Sequence, residues 1–192
     1  MTDELHCIVL AAGQGTRFGA SKMLAEIGGE PMIRRVVQTV KQAEIGPVHV
    51  VTGHDATAVE SAINNICDGC LHNPLYRDGM GTSIAAGIAS LPSSCSAVLV
   101  VLGDQPLVSA DHLTRLVAAW HEQPHSTVAS SYDGTIGPPA LFPRAQFDAL
   151  AALRGDKGAR DLLRDPQADV IVLECENPMP DVDTPDDLDA LT

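Results

Sequence analysis

The amino-acid sequence predicts a three-layer α/β/α sandwich around a mostly parallel, doubly wound sheet, and three observations support this fold class. Short apolar runs typical of buried strands alternate with amphipathic segments typical of helices along most of the 192 residues. The hydrophobic fraction is 45% although aromatic residues make up only 3%, so Ala, Val, Leu and Ile must build the core. Such a core suits a parallel sheet covered by helices. The length is that of one domain and no linker or repeat interrupts it, so we predict a single domain over residues 1–192.

The order of the predicted elements follows from where apolar runs begin and end. The first run, at 7–12, ends at a glycine and reads as a buried strand, whereas Pro31 opens a segment whose apolar residues share one helical face. The run at 97–102 is the most hydrophobic and is expected at the centre of the sheet. The predicted strands are 7–12, 48–51, 69–72, 97–102, 127–131 and 170–173. One predicted helix begins at Pro31. The other predicted helices span 55–63, 82–90, 110–120, 145–153, 157–163 and 185–191. Residues 134–139 are rich in glycine and proline, and we predict an irregular turn there.

Charge and composition exclude several classes of protein. The formal net charge is −13, with 25 acidic residues against 12 basic ones, so there is no basic face for nucleic acid. No apolar run approaches the roughly 18 residues of a membrane span. The acidic N-terminal residues lead straight into a strand rather than forming a signal peptide, so we expect a cytoplasmic location. Cys67 and Cys70 form a lone C-x-x-C, which we interpret as reduced thiols at a turn, since a redox or zinc role would need further partners.

The loop after the first strand has the composition of a phosphate clamp. Ligands of such sheets bind at the carboxyl ends of the strands, and glycines at 13, 15 and 19 allow close approach of the backbone. The dinucleotide fingerprint fails because Phe18 stands where it needs glycine, and the P-loop fails because Ser21 precedes Lys22. Arg17 and Lys22 remain as cations spaced to hold a polyphosphate. The alternative is a tight turn with two solvent-facing cations.

Two acidic positions are candidates for a metal site. Asp104 directly follows the strand at 97–102, where a carboxylate would repel a triphosphate unless it held a divalent cation such as Mg²⁺. Asp183 precedes the last predicted helix, for which Thr184 is the expected N-cap, and 186–187 are the acidic residues of its first turn. Asp181 remains an alternative to Asp183.

These motifs resemble the MobA-like NTP transferase family. The resemblance lies in L-A-A-G-x-G-x-R-x-G-x-x-K at 10–22, G-D-Q-P at 103–106 and D-x-D-T-P-x-D-L at 181–188. It implies the Rossmann-like nucleotide-diphospho-sugar transferase fold, with Arg17 and Lys22 neutralising the triphosphate. Asp104 and Asp183 would then hold Mg²⁺, with Mn²⁺ able to substitute. The residues expected to bind the nucleotide are Leu10, Ala11, Ala12, Gly13, Gly15, Lys22, Gly79 and Ser83.

Within the family, the molybdenum cofactor branch is the most similar. The pattern N-P-x-x-x-x-G-M-x-x-S at 73–83 resembles the loop that borders the base in that branch. L-A-A-G, with Ala12, is similar to cytidylyl-transferring members, whereas guanylyl-transferring ones read L-A-G-G. The stretches G-x-P-x-x-F at 137–142 and L-x-G-D-x-G-A-R at 153–160 resemble molybdopterin cytidylyltransferases and imply that Pro139, Lys157 and Arg160 bind the acceptor. An exposed turn with charged residues is the alternative for the last stretch.

The resemblance therefore implies transfer of CMP from CTP to molybdenum-bound molybdopterin, giving molybdopterin cytosine dinucleotide and pyrophosphate. The N-terminal half would bind NTP and residues 134–165 would face the acceptor, with a molybdoenzyme or its chaperone as a protein partner. Three alternatives remain at this point: cytidylyl or uridylyl transfer to another phosphorylated metabolite, non-catalytic delivery of the cofactor, and an oxidoreductase. The failed dinucleotide fingerprint argues against the last, and the intact metal and phosphate residues argue against the second.

Overall fold

A computed structural model describes residues 4–15, 18, 21–132, 134–156, 158–165, 167–175 and 181–191. Arg17 and Lys157, which the sequence analysis assigned to phosphate and acceptor binding, lie outside these described residues. Within the described part of the chain, no helix is both long enough and apolar enough to cross a membrane.

The described chain alternates strands and helices as the sequence predicts. The strands are Glu4–Ala11 (β1), Glu26–Ile27 (β2), Glu30–Pro31 (β3), Val48–Thr52 (β4), Gly69–His72 (β5), Cys95–Leu102 (β6), Thr127–Tyr132 (β7), Thr135–Pro143 (β8) and Val170–Glu174 (β9). The helices are Met32–Gln42 (α1), Ala56–Ala62 (α2), Met80–Ala89 (α3), Ala110–Glu122 (α4), Phe147–Ala151 (α5), Arg160–Leu163 (α6) and Pro185–Asp189 (α7).

Seven strands form one sheet in the order β5-β4-β1-β6-β8-β7-β9, and β2 pairs with β3 in a separate hairpin. Strand β8 runs antiparallel to both β6 and β7, while the other pairs of the large sheet are parallel. The most hydrophobic segment, β6, lies at the middle of the sheet, as predicted. The mostly parallel sheet is confirmed.

Alternation along β1 shows why both faces of the sheet need helices. Cys7, Val9 and Ala11 pack on one face with apolar residues of α1, α2 and α4. Ile8 and Leu10 pack on the other face with residues of α3, α5 and α6. Because successive side chains of a strand point to opposite faces, a strand that is apolar at every position is stable only when covered on both sides. The three-layer sandwich is thus confirmed.

The prediction of an irregular turn at 134–139 is wrong beyond Gly134, since the long strand β8 begins at Thr135. Proline lacks an N–H donor and is normally confined to edges and bulges of a sheet. The ladder between β7 and β8 passes from Ala129↔Ala140 to Ser130↔Gly137, so Pro138 and Pro139 lie in a bulge and need not donate to β7. The strand continues through both prolines for this reason.

Other elements also differ from the sequence prediction. The helices predicted at 145–153 and 157–163 are shorter, at Phe147–Ala151 and Arg160–Leu163. The β2–β3 hairpin was not predicted, although Gly28 and Gly29, both with positive φ, form the two-residue turn that such hairpins favour.

The start of α3 is tied to a distant loop at the carboxyl edge of the sheet. The backbone N–H of Gly81 donates to the carbonyl of Gly155 at 2.8 Å. A Cβ on Gly79 would lie 2.2 Å from the carbonyl carbon of Gly155, and Gly79 has φ +105°. Only glycine therefore allows α3 to begin in this place.

We expect Gly79→Ala to destabilise the protein far more than Gly28→Ala. A Cβ on Gly28 (φ +62°) would meet nothing within 4 Å, so that variant carries only the backbone strain of about 1–2 kcal/mol. Gly79→Ala adds an overlap with backbone that cannot move independently. Thermal denaturation of the two variants measures the difference, and equal melting temperatures would contradict this packing.

Candidate active site

A cavity of about 330 Å³ opens at the carboxyl edge of the sheet, within the size range of small-molecule sites. It lies where β1 and β6 end and where the loop before α3 approaches them. The lining residues are Leu10, Ala12, Gly13, Gln14, Met23, Tyr76, Arg77, Gly79, Met80, Ser83, Leu102, Asp104 and Asp156. Of the residues expected to bind the nucleotide, Leu10, Ala12, Gly13, Gly79 and Ser83 line it. Ala11 instead packs in the core.

Gly15 has a specific role in placing Lys22. Its φ is +56°, and a Cβ there would lie 2.7 Å from the Cβ of Lys22. A larger residue would therefore collide with the lysine stem. The glycine lets the loop fold back so that Lys22, which is almost fully buried, points its ammonium toward the ends of β6 and the last segment.

The ammonium of Lys22 joins the two acidic positions singled out in the sequence. Its Nζ donates to Oδ2 of Asp104 at 2.7 Å and to Oδ1 of Asp183 at 2.8 Å. The side chain of Lys22 is 7% exposed, that of Asp104 20% and that of Asp183 43%. Three residues separated by up to 161 positions thus meet around one cation.

The pKa of Lys22 lies above its ordinary value of 10.5 despite the burial of the side chain. Burial by itself lowers the pKa of a lysine because it disfavours the charged form. The attraction of Asp104 and the hydrogen bonds to both carboxylates outweigh this effect. Lys22 is therefore charged at neutral pH and forms an ion pair with each of the two carboxylates.

Local structure of the last segment fixes Asp183. The N–H of Val182 donates to the carbonyl of Asp104 at 3.0 Å. Thr184 caps α7 in a capping box with Asp187, which confirms the predicted N-cap. The carboxylate of Asp187 also accepts the N–H of Asp183 at 3.0 Å, and hydrogen bonds from Thr184 hold the pKa of Asp187 below its usual range. Asp187 is thus structural.

Asp181 occupies different surroundings from Asp183. Its Oδ1 accepts a hydrogen bond from Nε2 of Gln105 at 2.9 Å, and Gln105 is fully buried. Loss of solvation and then the nearby charge of Asp104 raise the pKa of Asp181. Asp183, and not Asp181, therefore shares the ammonium of Lys22 with Asp104.

The sequence analysis assigned no role to Asn73, which organises the loop before α3. Its buried Nδ2 donates to Oγ1 of Thr82 at 2.9 Å and to Oγ of Ser83 at 3.0 Å, and its Oδ1 accepts the N–H of Leu75 at 3.0 Å. Ser83 lies in the first turn of α3, whose N-cap is Gly79. An Asn-Pro pair directly after a strand was the available signal, because asparagine side chains often bond the backbone at turns.

A second cavity adjoins the first and includes part of the predicted acceptor region. The residues that line both cavities are Leu10, Met80, Leu102 and Asp156. Arg160 lines the second cavity, as does Pro138, whereas the buried carbonyl of Pro139 accepts a hydrogen bond from Ser130 at 2.6 Å. The structure therefore brings Arg160, but not the side chain of Pro139, to this cavity.

The geometry around Lys22 tests whether the residues suit a divalent cation. Two carboxylates converge on one ammonium at hydrogen-bonding distance, so a single cation already lies between them. Mg²⁺ uses one or two protein carboxylates and completes its coordination with water and phosphate oxygens. The partial exposure of both carboxylates leaves space for those ligands. Two carboxylates match the number of protein ligands that Mg²⁺ uses, and the described residues contain no group of three or more His, Cys, Asp or Glu side chains that could hold a metal by themselves.

The chain is similar to known proteins along most of its length. The sequence profile of the MobA-like NTP transferase domain matches residues 7–170. The purine catabolism protein PucB of Bacillus subtilis is 29% identical over 198 residues, covering 95% of this chain and 93% of PucB.

Two solved structures of Rv0371c from Mycobacterium tuberculosis are similar along the full chain. One superposes with a TM-score of 0.88 at 26% identity, covering 100% of this chain and 98% of that one. The other, a complex with manganese, has a TM-score of 0.84, with the same identity and coverage. Together with the matched domain, these similarities identify the chain as a nucleotidyltransferase that belongs to the MobA-like NTP transferase family.

Proposed function

We propose that the protein transfers CMP from CTP to a phosphorylated acceptor, molybdenum-bound molybdopterin, and releases pyrophosphate. The observation that carries the proposal is the convergence of Asp104 and Asp183 on one cation beside the first cavity. Two carboxylates beside a triphosphate would repel it in the absence of a metal. With a divalent cation bound, the same carboxylates would act as metal ligands that hold the cation against the phosphates. The manganese complex of Rv0371c supports a metal in this kind of protein.

The residues of the chain provide positioning and charge. Bound Mg²⁺ would neutralise the triphosphate and the leaving pyrophosphate. Lys22 has three N–H donors, of which two bind Asp104 and Asp183, so one remains for a phosphate oxygen. Arg17, by family resemblance, adds a second cation on the triphosphate. The glycines of the first loop allow the phosphates to approach the backbone.

The reaction needs no nucleophilic side chain. The second pKa of a phosphate monoester is about 6, so the acceptor phosphate is largely a dianion at neutral pH. One of its oxygens attacks the α-phosphorus of CTP in line, and the bond to the β,γ-pyrophosphate breaks. Catalysis then rests on alignment of the two substrates across the shared wall of the two cavities and on charge stabilisation.

Ala12 supports cytosine as the base. It lies in the wall of the first cavity, directly before Gly13. The methyl group takes up space that a purine would need, whereas the glycine found in guanylyl-transferring relatives leaves that space open. One methyl in a pocket corresponds to roughly 10-fold discrimination.

The acceptor is supported by the resemblance of 137–142 and 153–160 to molybdopterin cytidylyltransferases. Arg160 lines the second cavity, and we propose that it binds the acceptor phosphate together with Lys157. The relative PucB carries a name from purine catabolism, and that name specifies no acceptor.

Pyrophosphate release tests the proposal directly. We expect release only when CTP, a divalent cation and molybdenum-loaded molybdopterin are present together in an assay that crosses four NTPs with several phosphorylated acceptors. Turnover with a sugar phosphate or a polyol phosphate, and none with the pterin, would refute the acceptor while leaving nucleotidyl transfer intact.

We expect Ala12→Gly to relax base selection. The variant should lower the preference for CTP over GTP by about 10-fold, on the order of 1–2 kcal/mol for one methyl. The measurement is the ratio of kcat/KM for the two nucleotides at fixed acceptor. An unchanged ratio would show that Ala12 does not contact the base.

The two carboxylates around Lys22 should be essential, unlike their neighbour in α7. We expect Asp104→Ala to abolish turnover and Asp183→Ala to cost nearly as much, because each removes a metal ligand. Asp186→Ala is the matched control, since the Asp186 side chain is exposed and makes no hydrogen bond to another described residue. Equal losses for Asp183→Ala and Asp186→Ala would contradict the assignment.

Lys22→Met should lower kcat and kcat/KM together, since Lys22 stabilises charge that grows on the leaving pyrophosphate. It should also remove the ammonium that Asp104 and Asp183 share, so the melting temperature should fall in metal-free buffer. Added Mn²⁺ should then raise it more than in the unmodified protein. Lys41→Met is the control, because Lys41 pairs with Asp68 on the surface at 2.9 Å. An equal Mn²⁺ effect in both variants would argue against a metal between the two carboxylates.

A further inference from the structure

The second cavity combines an apolar floor with a polar rim. Eleven of its sixteen lining residues are apolar or glycine: Leu10, Met80, Ile84, Val100, Leu102, Ile136, Gly137, Pro138, Phe142, Ala159 and Leu163. The polar ones are Tyr132, Thr135, Asp156, Arg160 and Asp181. The volume of the cavity is about 90 Å³. Its mostly apolar lining suits the edge of a flat ring better than a hydroxyl-rich sugar, since few polar groups are there to pair with several buried hydroxyls.

A hydrogen bond from the buried Gln105 holds Asp181 at the rim of this cavity. The Nε2 of Gln105 lies 2.9 Å from Oδ1 of Asp181, 3.3 Å from the hydroxyl of Tyr132 and 3.4 Å from the carbonyl of Pro138. Gln105 is 0% exposed, so the amide is fixed from inside the fold. It fixes one oxygen of Asp181, while the second makes no hydrogen bond to any described residue.

From this geometry we propose that Asp181 is a specificity-determining residue that accepts hydrogen bonds from N–H groups on the edge of the acceptor's ring. The inference rests on the proposed function, because it assumes that the acceptor enters the second cavity. A carboxylate only accepts hydrogen bonds, so it selects a ring with adjacent N–H donors, such as the 2-amino-4-oxo edge of a pterin. A ring with a carbonyl in place of the amino group would place its carbonyl oxygen against the carboxylate oxygen of Asp181, so that two acceptors face each other.

A competing explanation is that the hydrogen bond between Gln105 and Asp181 only holds residues 181–189 against the sheet and so places Asp183. Asp181→Asn separates the two explanations. The asparagine Oδ1 can still accept the hydrogen bond of Gln105, so this contact is kept. The other oxygen becomes an NH₂ donor, which reverses the hydrogen-bonding pattern that the ring meets.

The experiment is a fluorescence titration with pterin (2-amino-4-oxopteridine) and lumazine (2,4-dioxopteridine), in the presence of CTP and Mg²⁺. We expect the unmodified protein to bind pterin at least about 10-fold tighter than lumazine, because a site rejects a ligand that leaves a polar group of the site unpaired. We expect Asp181→Asn to lose this preference for pterin. Asp186→Asn, an exposed acid of α7, is the matched control and should keep the ratio of the unmodified protein.

Mn²⁺ affinity and pyrophosphate release are measured on the same proteins. Retained Mn²⁺ affinity in Asp181→Asn with a changed ratio supports the proposal. A lost Mn²⁺ affinity makes Asp181 a metal ligand and overturns it. An unchanged ratio alongside turnover of a pterin acceptor by the unmodified protein overturns the role of Asp181 and leaves the proposed function standing. Binding of neither ring, with turnover of a sugar phosphate instead, overturns both.

Discussion

The ion pairs of Lys22 with Asp104 and Asp183 are the contacts on which the site depends. The buried ammonium loses solvation when it meets two partly exposed carboxylates, and ion pairs of this kind often contribute little net stability. The arrangement is thus poorly explained as a device for stability. It is better explained as a preformed distribution of charge, in which the acidic groups are close together before any triphosphate arrives. Removing the lysine alone would leave carboxylates that only another cation could balance.

The same few residues also hold the C-terminal segment against the sheet. Consecutive residues of the loop after β6 contact this segment, since the carbonyl of Asp104 accepts the N–H of Val182 and the amide of Gln105 donates to Asp181. Lys22 adds a hydrogen bond to the carboxylate of Asp183. Helix α7 has only five residues, too few to be stable by itself in water. Its own cap and these polar contacts therefore place Asp183, with a small apolar cluster that joins Val182 to Ile27 and Met32.

The two cavities adjoin and share part of their lining. Asp156 belongs to that shared lining, and the loop that carries it also buttresses the first turn of α3 through Gly155 and Gly81. The loop that faces the proposed acceptor site thus also fixes the helix that borders the proposed nucleotide site. Alignment of the two substrates is then a property of packing, which suits a reaction in which positioning and charge do the chemistry.

The sequence by itself determined the alternation of strands and helices, the central place of β6, the capping box at Thr184 and the edge of the sheet that carries the site. These features depend on local periodicity and on chemistry within a few residues, which a sequence displays directly. Only the tertiary structure decided that Lys22 faces Asp104 and Asp183, that Asp181 is hydrogen-bonded to Gln105, and that Asn73 fixes the loop before α3. It also decided that a bulge carries β8 through Pro138 and Pro139. Each of these depends on segments far apart in the chain, and no local pattern records which of several equivalent side chains such segments bring together.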